Sequence, residues 1–149
     1  SKLLTRICTA AMSLMMLVSV TAITASAKNY KDTTYSYSLN SGEETSTEFR
    51  KKEDNSSCYM YCKQSNGTYD AYVITGPEEG GCAFDISNGH HYRFQQGTKR
   101  YMFNYVNEGG YTICAIAAST STNGLVASGL WSPDSVWQSG VLPGTDYIK

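Results

Sequence analysis

The chain has 149 residues, with 12 basic and 13 acidic side chains and a formal charge of −1 at pH 7. A balance so near neutral argues against nucleic acid and anionic membrane surfaces as electrostatic partners. The length fits one domain behind a targeting segment.

Residues 1–27 read as a secretory signal peptide. Lys2 and Arg6 supply the positive start. Uncharged residues 10–23, with Met12, Leu14, Met15, Met16, Leu17 and Val18 at the centre, supply the apolar middle. Thr24-Ala25-Ser26-Ala27 supplies the small-residue end. The competing reading is a membrane anchor, which needs about 20 apolar residues in a row. Thr9, Ser13, Ser19, Thr21 and Thr24 interrupt this stretch. A natural signal begins with Met, so the reading expects sequence upstream of Ser1. Cleavage after Ala27 leaves one exported β-domain over residues 28–149, secreted and without stable membrane insertion. Taking Lys2 and Arg6 from the 12 basic residues leaves 10 against 13 acidic ones, a charge of −3. All 12 Tyr, all 4 Phe and both Trp lie in this domain, a composition that favours strands over helices.

The elements follow in chain order. Tyr35 and Tyr37 alternate with Ser36 and Ser38, which predicts a strand over 34–39, and 41–44 reads as a turn. A short strand over 47–50 precedes a solvated loop. Residues 58–63 form a strand with Cys58, Met60 and Cys62 on one face. The Asn66-Gly67 turn signal joins it to a Tyr- and β-branched-rich strand over 69–75, which predicts a hairpin. Gly76 to Gly81 breaks the pattern. Short strands follow over 82–86 and 91–95, with Ser87-Asn88-Gly89 turning between them. Residues 99–106 and 111–119 read as a second hairpin around Asn107-Glu108-Gly109-Gly110. In the second arm Ile113, Ala115 and Ala117 face one way and Cys114, Ile116 and Ala118 the other, as in a strand covered on both faces. A last strand over 125–131 meets a Ser132-Pro133-Asp134-Ser135 turn, and an irregular tail follows. Seven to eight short strands without helical periodicity give an all-β fold, a small antiparallel β-sandwich or small barrel.

Cys8 leaves with the signal. The remaining Cys58, Cys62, Cys82 and Cys114 read as two disulfides in an exported chain. A zinc site is the rival, but the spacing lacks paired C-x-x-C motifs. In a strand Cys58 and Cys62 lie about 13 Å apart, too far to bond each other. The hairpin at Asn66-Gly67 then brings Cys82 toward Cys58, so the expected pairs are Cys58–Cys82 and Cys62–Cys114.

No constellation carries catalysis. His90 and His91 are adjacent, so on a strand they point to opposite faces. A metal site with Asp85 needs them in the turn instead. No Ser stands in a G-x-S-x-G frame. Glu78-Glu79 and Glu108 lie in Gly-rich, solvated segments, and nothing pairs Glu108 with Asp85 or Asp134 across a cleft. The N-x-S/T triplets at Asn55 and Asn66 are assigned to turns. In Trp131-Ser132-Pro133-Asp134-Ser135, Asp134 is expected to accept bonds from nearby backbone N–H groups and tie the turn, while Trp131 packs on the core. Trp137 follows in a loose segment.

Residues 101–111 (YMFNYVNEGGY) with 129–135 (GLWSPDS) resemble small exported proteins of Gram-positive gut bacteria that have no assigned activity. In size and style the chain is also similar to the lactococcin 972-type bacteriocins, small exported β-sandwiches. The resemblance implies secretion and β architecture and carries no catalytic residue across.

The resulting expectation is a secreted, non-catalytic binding module for an extracellular glycan or surface protein, with no cofactor and no bound metal. It is motivated by 18 aromatics in 122 residues, some of which should be exposed as anchors. Trp137 and Trp131 are the candidate contacts. The rival functions are a bacteriocin-like factor acting on competitor envelopes and a small hydrolase. The oligomeric state is left open. N-terminal sequencing of secreted material is expected to start at Lys28; a start at Ser1, or retention in membranes, contradicts the signal reading.

Overall fold

Alternation of side chains decides the architecture. In β1 (Thr33–Leu39) Tyr35, Tyr37 and Leu39 are buried while Thr34, Ser36 and Ser38 are exposed, as a strand with one covered face requires. The computed structural model describes residues 29–148, so the signal-peptide and cleavage-site expectations lie outside the described residues. Nine further strands follow: β2 (Glu44–Ser46), β3 (Arg50–Lys51), β4 (Cys58–Ser65), β5 (Tyr69–Thr75), β6 (Phe84–Asp85), β7 (Tyr92–Phe94), β8 (Lys99–Met102), β9 (Ile113–Ser119) and β10 (Leu125–Ser132). The described residues contain no helix.

The strands form two open sheets, so the barrel alternative is excluded. One has the order β1-β10-β4-β8. In the other β9 lies beside β5, with β2 and β3 on the outer side of β9 and β6 and β7 on the far side of β5. Every strand pair is antiparallel. The core between the sheets is built from Tyr35, Tyr37, Met60, Leu125 and Trp131 on one side and Tyr69, Val73, Phe94 and Ile116 on the other. Buried tyrosines keep partners for their hydroxyls: Tyr35 and Tyr69 share a 2.6 Å bond, and Tyr37 donates to Ile116 O at 2.9 Å. Burial pushes all three phenols well above their ordinary pKa, so they act as neutral hydrogen-bonding groups.

β9 is covered on both faces, as its apolar pattern requires. Cys114, Ile116 and Ala118 enter the main core. Ile113, Ala115 and Ala117 join Phe49, Tyr72, Ile74 and Ala83 in a second cluster on the outer side of the sheet.

Three expectations are corrected. First, the strand count is ten, and the short strand expected over 47–50 is displaced: β2 begins at Glu44, inside the expected turn over 41–44, and β3 takes only Arg50 of that range, both strands pairing with β9. Thr47, between them, stitches the join: its N–H donates to Ile116 O and its Oγ1 accepts from Ile116 N.

Second, neither expected hairpin exists. β4 and β8 lie in one sheet while β5 and β9 lie in the other, so both connections cross the sandwich. The Asn66 side chain is committed to β10 rather than to a turn. Its Oδ1 accepts from Val126 N and its Nδ2 donates to Gly124 O. The two-residue turn with positive φ occurs instead at Asn88 (φ 53°) and Gly89 (φ 74°), closed by His90 N donating to Ser87 O.

Third, the pairs Cys58–Cys82 and Cys62–Cys114 do not form. Cys58, Cys62 and Cys114 are free thiols. The pairing rested on the β4–β5 hairpin, and without it Cys58 faces Cys114 across the core, their sulfurs 3.8 Å apart. Cys62 Sγ lies against Gln64 O. Cys82 is in the exposed connection from β5 to β6.

The Ser132–Ser135 string is a buried knot. Lys52 Nζ and Asp134 Oδ1 meet at 2.9 Å with both side chains fully buried. Lys52 also donates to Ser56 O and Pro133 O, which uses its three protons. Asp134 accepts from the backbone N–H groups of Asn29, Glu53 and Asp54. Burial pushes the Asp134 carboxyl up, but Lys52 and the backbone donors outweigh it and hold its pKa below the ordinary value. Burial pushes Lys52 down, and the Asp134 carboxylate bonded to it reverses that. Both groups are therefore charged at neutral pH.

The bulge in β10 fixes one glycine. Register shifts between Ser128 and Gly129, where a Cβ would sit 1.8 Å from Tyr61 O. At Gly67 a Cβ would meet only Leu125 and Thr122, at 3.4 Å or more. Gly129→Ala is expected to cost several kcal/mol (about 3, by comparison with overpacked sites) and Gly67→Ala less than about 1. Equal denaturation midpoints for the two variants would contradict the bulge.

Asp134→Asn strands a buried ammonium and is expected to cost about 3–5 kcal/mol. The pH dependence carries the same signature. A depressed carboxyl contributes fully above its unfolded pKa, about 3.9, and loses that contribution as pH falls through the folded value. The parent should therefore lose stability below about pH 4, and Asp134→Asn should flatten that acid limb. Urea midpoints measured against pH decide it.

Candidate functional site

The two sheets part along one edge. Among the described residues β1 pairs only with β10, and β2 and β3 pair only with β9. Their outer edges flank a cleft of about 670 Å³ lined by Thr33, Thr34, Tyr35, Ser36, Ser46, Thr47, Glu48, Arg50 and Trp131. Five of these nine are Ser or Thr. Tyr35, Thr47 and Trp131 are buried, while Thr34, Ser36 and Glu48 are exposed. The cleft thus offers hydroxyls, one free-facing carboxylate and the edge of a seven-residue strand.

Arg50 sets its closed end. Its guanidinium lies 5.1 Å from the Trp131 ring centre and donates to Thr33 Oγ1, Trp131 O, Asn29 Oδ1 and Lys31 O. It therefore holds the start of β1 beside β3 across the mouth of the sandwich. Burial pulls its pKa down, from a value so high that the charge persists.

The opposite edge of the same sheet is closed. The tail pairs with β8, with Tyr101 N donating to Leu142 O and Leu142 N to Lys99 O, each at 2.9 Å. Arg100 grips Asp146 through its carbonyl and carboxylate. Natural sandwiches cover or blunt exposed edges in this way to prevent adventitious pairing. Among the described residues the tail covers β8 and nothing pairs with the outer edge of β1.

The two tryptophans named from sequence are not brought together. Trp131 is 1% exposed and forms an inner wall of the cleft. Trp137 is 82% exposed and sits beyond β10 next to β8, where Tyr101 Oη donates to Val136 O and accepts from Gln138 N.

The other candidates resolve into local structure. His91 Nε2 meets Asp85 Oδ2 at 2.7 Å and its ring stacks on Tyr72 with centroids 4.1 Å apart. Ser87 Oγ also meets Asp85, at 2.5 Å. Ser87 Oγ donates to Asp85 Oδ1 while His91 bonds Oδ2, so the hydroxyl is held by the carboxylate and the imidazole is engaged on its other oxygen. Burial pushes the Asp85 carboxyl up, and its bonds from His91 and Ser87 bring it below the ordinary value. His90 turns its Nδ1 to Ser87 O and packs on Phe103 and Tyr147, away from that pair. Glu78 accepts from Thr112 Oγ1, Glu108 is exposed, and Asp134 is consumed by Lys52. Among the described residues no group of three or more His, Cys, Asp and Glu side chains converges on one point.

Sequence reasoning missed Glu48, Arg50 and the hydroxyls of β1 as a group. Their juxtaposition depends on which strands end up at the sheet edges, and no local pattern encodes that.

No curated protein and no solved structure matches the chain significantly. A family does match, over residues 21–135, a stretch that takes in every residue of the cleft and the whole Lys52–Asp134 knot and ends before Trp137. The chain belongs to that family, the proteins of unknown function designated DUF2712.

Proposed function

We propose that this protein is an exported, non-catalytic binding module that takes an extended segment of a cell-surface protein along the open edge of β1. The observation that carries the reading is the contrast between the two edges of one sheet: β8 is paired by the tail, and β1 has no partner on its outer side among the described residues. An unpaired strand edge beside a groove is the geometry of strand addition, in which main-chain bonds supply affinity and flanking side chains supply selectivity. Hydroxyls from Thr33, Thr34, Ser36 and Ser46 flank that edge, and Glu48 favours a basic side chain in the ligand. Export rests on the signal-type residues at 1–27. The non-catalytic reading draws on Ser87 and Asp134, whose reactive groups are engaged within the fold.

A glycan is the alternative occupant, since hydroxyl-lined clefts also hold sugars. A pull-down on Gram-positive cell envelopes separates the two. The parent is expected to be retained by untreated and deglycosylated envelopes and lost after protease treatment of the envelopes. Ser36→Lys with Glu48→Lys should reduce retention at least tenfold while leaving the melting temperature within a few degrees, because both positions are exposed. Loss of binding on Trp137→Ala, with the cleft variant unaffected, would move the site to the β8 edge. Dye release from intact cells would point to envelope attack instead.

A further inference from the structure

We infer that Cys58 and Cys114 are joined in the exported protein as a disulfide that links the two sheets through the middle of the core. The inference rests on the export reading and on geometry. Cys58 is on β4, which lies between β10 and β8, and Cys114 is on β9, which lies between β3 and β5. Both residues are fully buried and their sulfurs are in van der Waals contact at 3.8 Å. A covalent bond of about 2.0 Å requires an approach of under 2 Å, within reach of small side-chain rotations of two facing cysteines.

Nothing else in the core claims the pair. Asn104 Nδ2 lies 3.6 Å from Cys58 Sγ, a contact that a disulfide sulfur accepts equally well. No third metal-binding side chain joins the two thiols among the described residues. Cys62 is set apart against Gln64 O, Tyr35 and Tyr69. A buried dithiol is inert once the core has closed, so the bond must form while the sheets assemble. In that step two S–H bonds break and one S–S bond forms. The two electrons and two protons pass to the disulfide of an extracytoplasmic thiol–disulfide oxidoreductase, or to a small-molecule disulfide, which leaves as two thiols.

The link spans 56 positions of sequence. The chain-entropy account gives a closed loop of this size about a thousandfold in the folding equilibrium constant. Because β4 carries Cys58 directly after the loop that holds Lys52, the bond and the ion pair would reinforce one end of the sandwich.

The test is peptide mapping without reduction. The full chain is expressed for export, recovered from the culture supernatant, denatured and alkylated with iodoacetamide. The expected result is a Cys58–Cys114 linked peptide with Cys62 alkylated. Alkylation at Cys58 and Cys114, or either residue joined to a different cysteine, overturns the inference. A second arm separates it from the export reading: the full chain, made reduced in the cytoplasm, is unfolded and refolded with a mixture of oxidised and reduced glutathione. The same linked peptide there supports the pairing even where no protein reaches the supernatant, an outcome that counts against export alone. Free Cys58 and Cys114 after refolding to the native fold overturn the pairing itself. Cys62→Ala should leave the linked peptide intact, and its loss in that variant also counts against the pairing.

Discussion

The buried Lys52–Asp134 pair holds together the segments on which the rest depends. Lys52 comes from the loop between β3 and β4, and Asp134 follows β10. Asn29, whose N–H reaches the same carboxylate, precedes β1. Breaking up such a pair is expensive because the surviving charge is left in a low-dielectric interior. Making it is tolerable here because every proton of Lys52 and both oxygens of Asp134 are engaged. The pair therefore acts less as a source of stability than as a lock on position. With residues 29, 52 and 134 fixed, Asn29 Oδ1 and Lys31 O are where Arg50 can grip them. Arg50 in turn sets β3 against the start of β1. The width of the cleft is a consequence of that sequence of contacts.

The same logic explains why one side of the sandwich is open. β1 belongs to one sheet and β2 and β3 to the other, and the turn at residues 40–43 carries the chain between them. This connection pins the two edges together at one end, and Arg50 pins them at the other. Between these points neither edge has a strand partner among the described residues. On the far side the tail has enough length to return and pair with β8, and the Arg100–Asp146 contact and the bond from Tyr92 Oη to Gly144 O keep it there. Half-buried sheets with an unblunted edge invite intermolecular pairing, so an open β1 is a hazard unless it serves recognition.

How much of this was legible in the sequence depends on the range of the interaction. Period-two alternation at Tyr35, Tyr37 and Leu39, and at Cys58, Met60 and Cys62, marked strands and their buried faces because it reports burial residue by residue. Apolar residues on both faces of 113–118 marked a central strand for the same reason. Asp134 was legible as an acceptor of backbone N–H bonds, but not as a long-range one: instead of tying its own turn it takes the N–H groups of Asn29, Glu53 and Asp54, 80 or more positions away. Strand pairing was not legible. Asn66-Gly67 has the composition of a tight hairpin, but long-range bonds from Asn66 to Gly124 and Val126 took its side chain. The cysteine pairing failed with the hairpin on which it depended. Lys52 gave no signal either: an isolated lysine in a polar loop reads as solvated, and only the return of residue 134, 82 positions later, buries it. The cleft was invisible for a further reason, as its lining comes from strands in separate sheets.

The central claim is that β1 presents an edge that a ligand strand completes, and amide hydrogen exchange read residue by residue tests it most directly. In the free protein the outward N–H groups of β1 should exchange rapidly, while Tyr101 N in β8, bonded to the tail, should be protected. Addition of a solubilised envelope-protein fraction that the protein retains should protect the β1 amides and leave β8 unchanged. Protection of the whole of β1 in the free protein, or an unchanged β1 when the fraction is bound, would contradict the account.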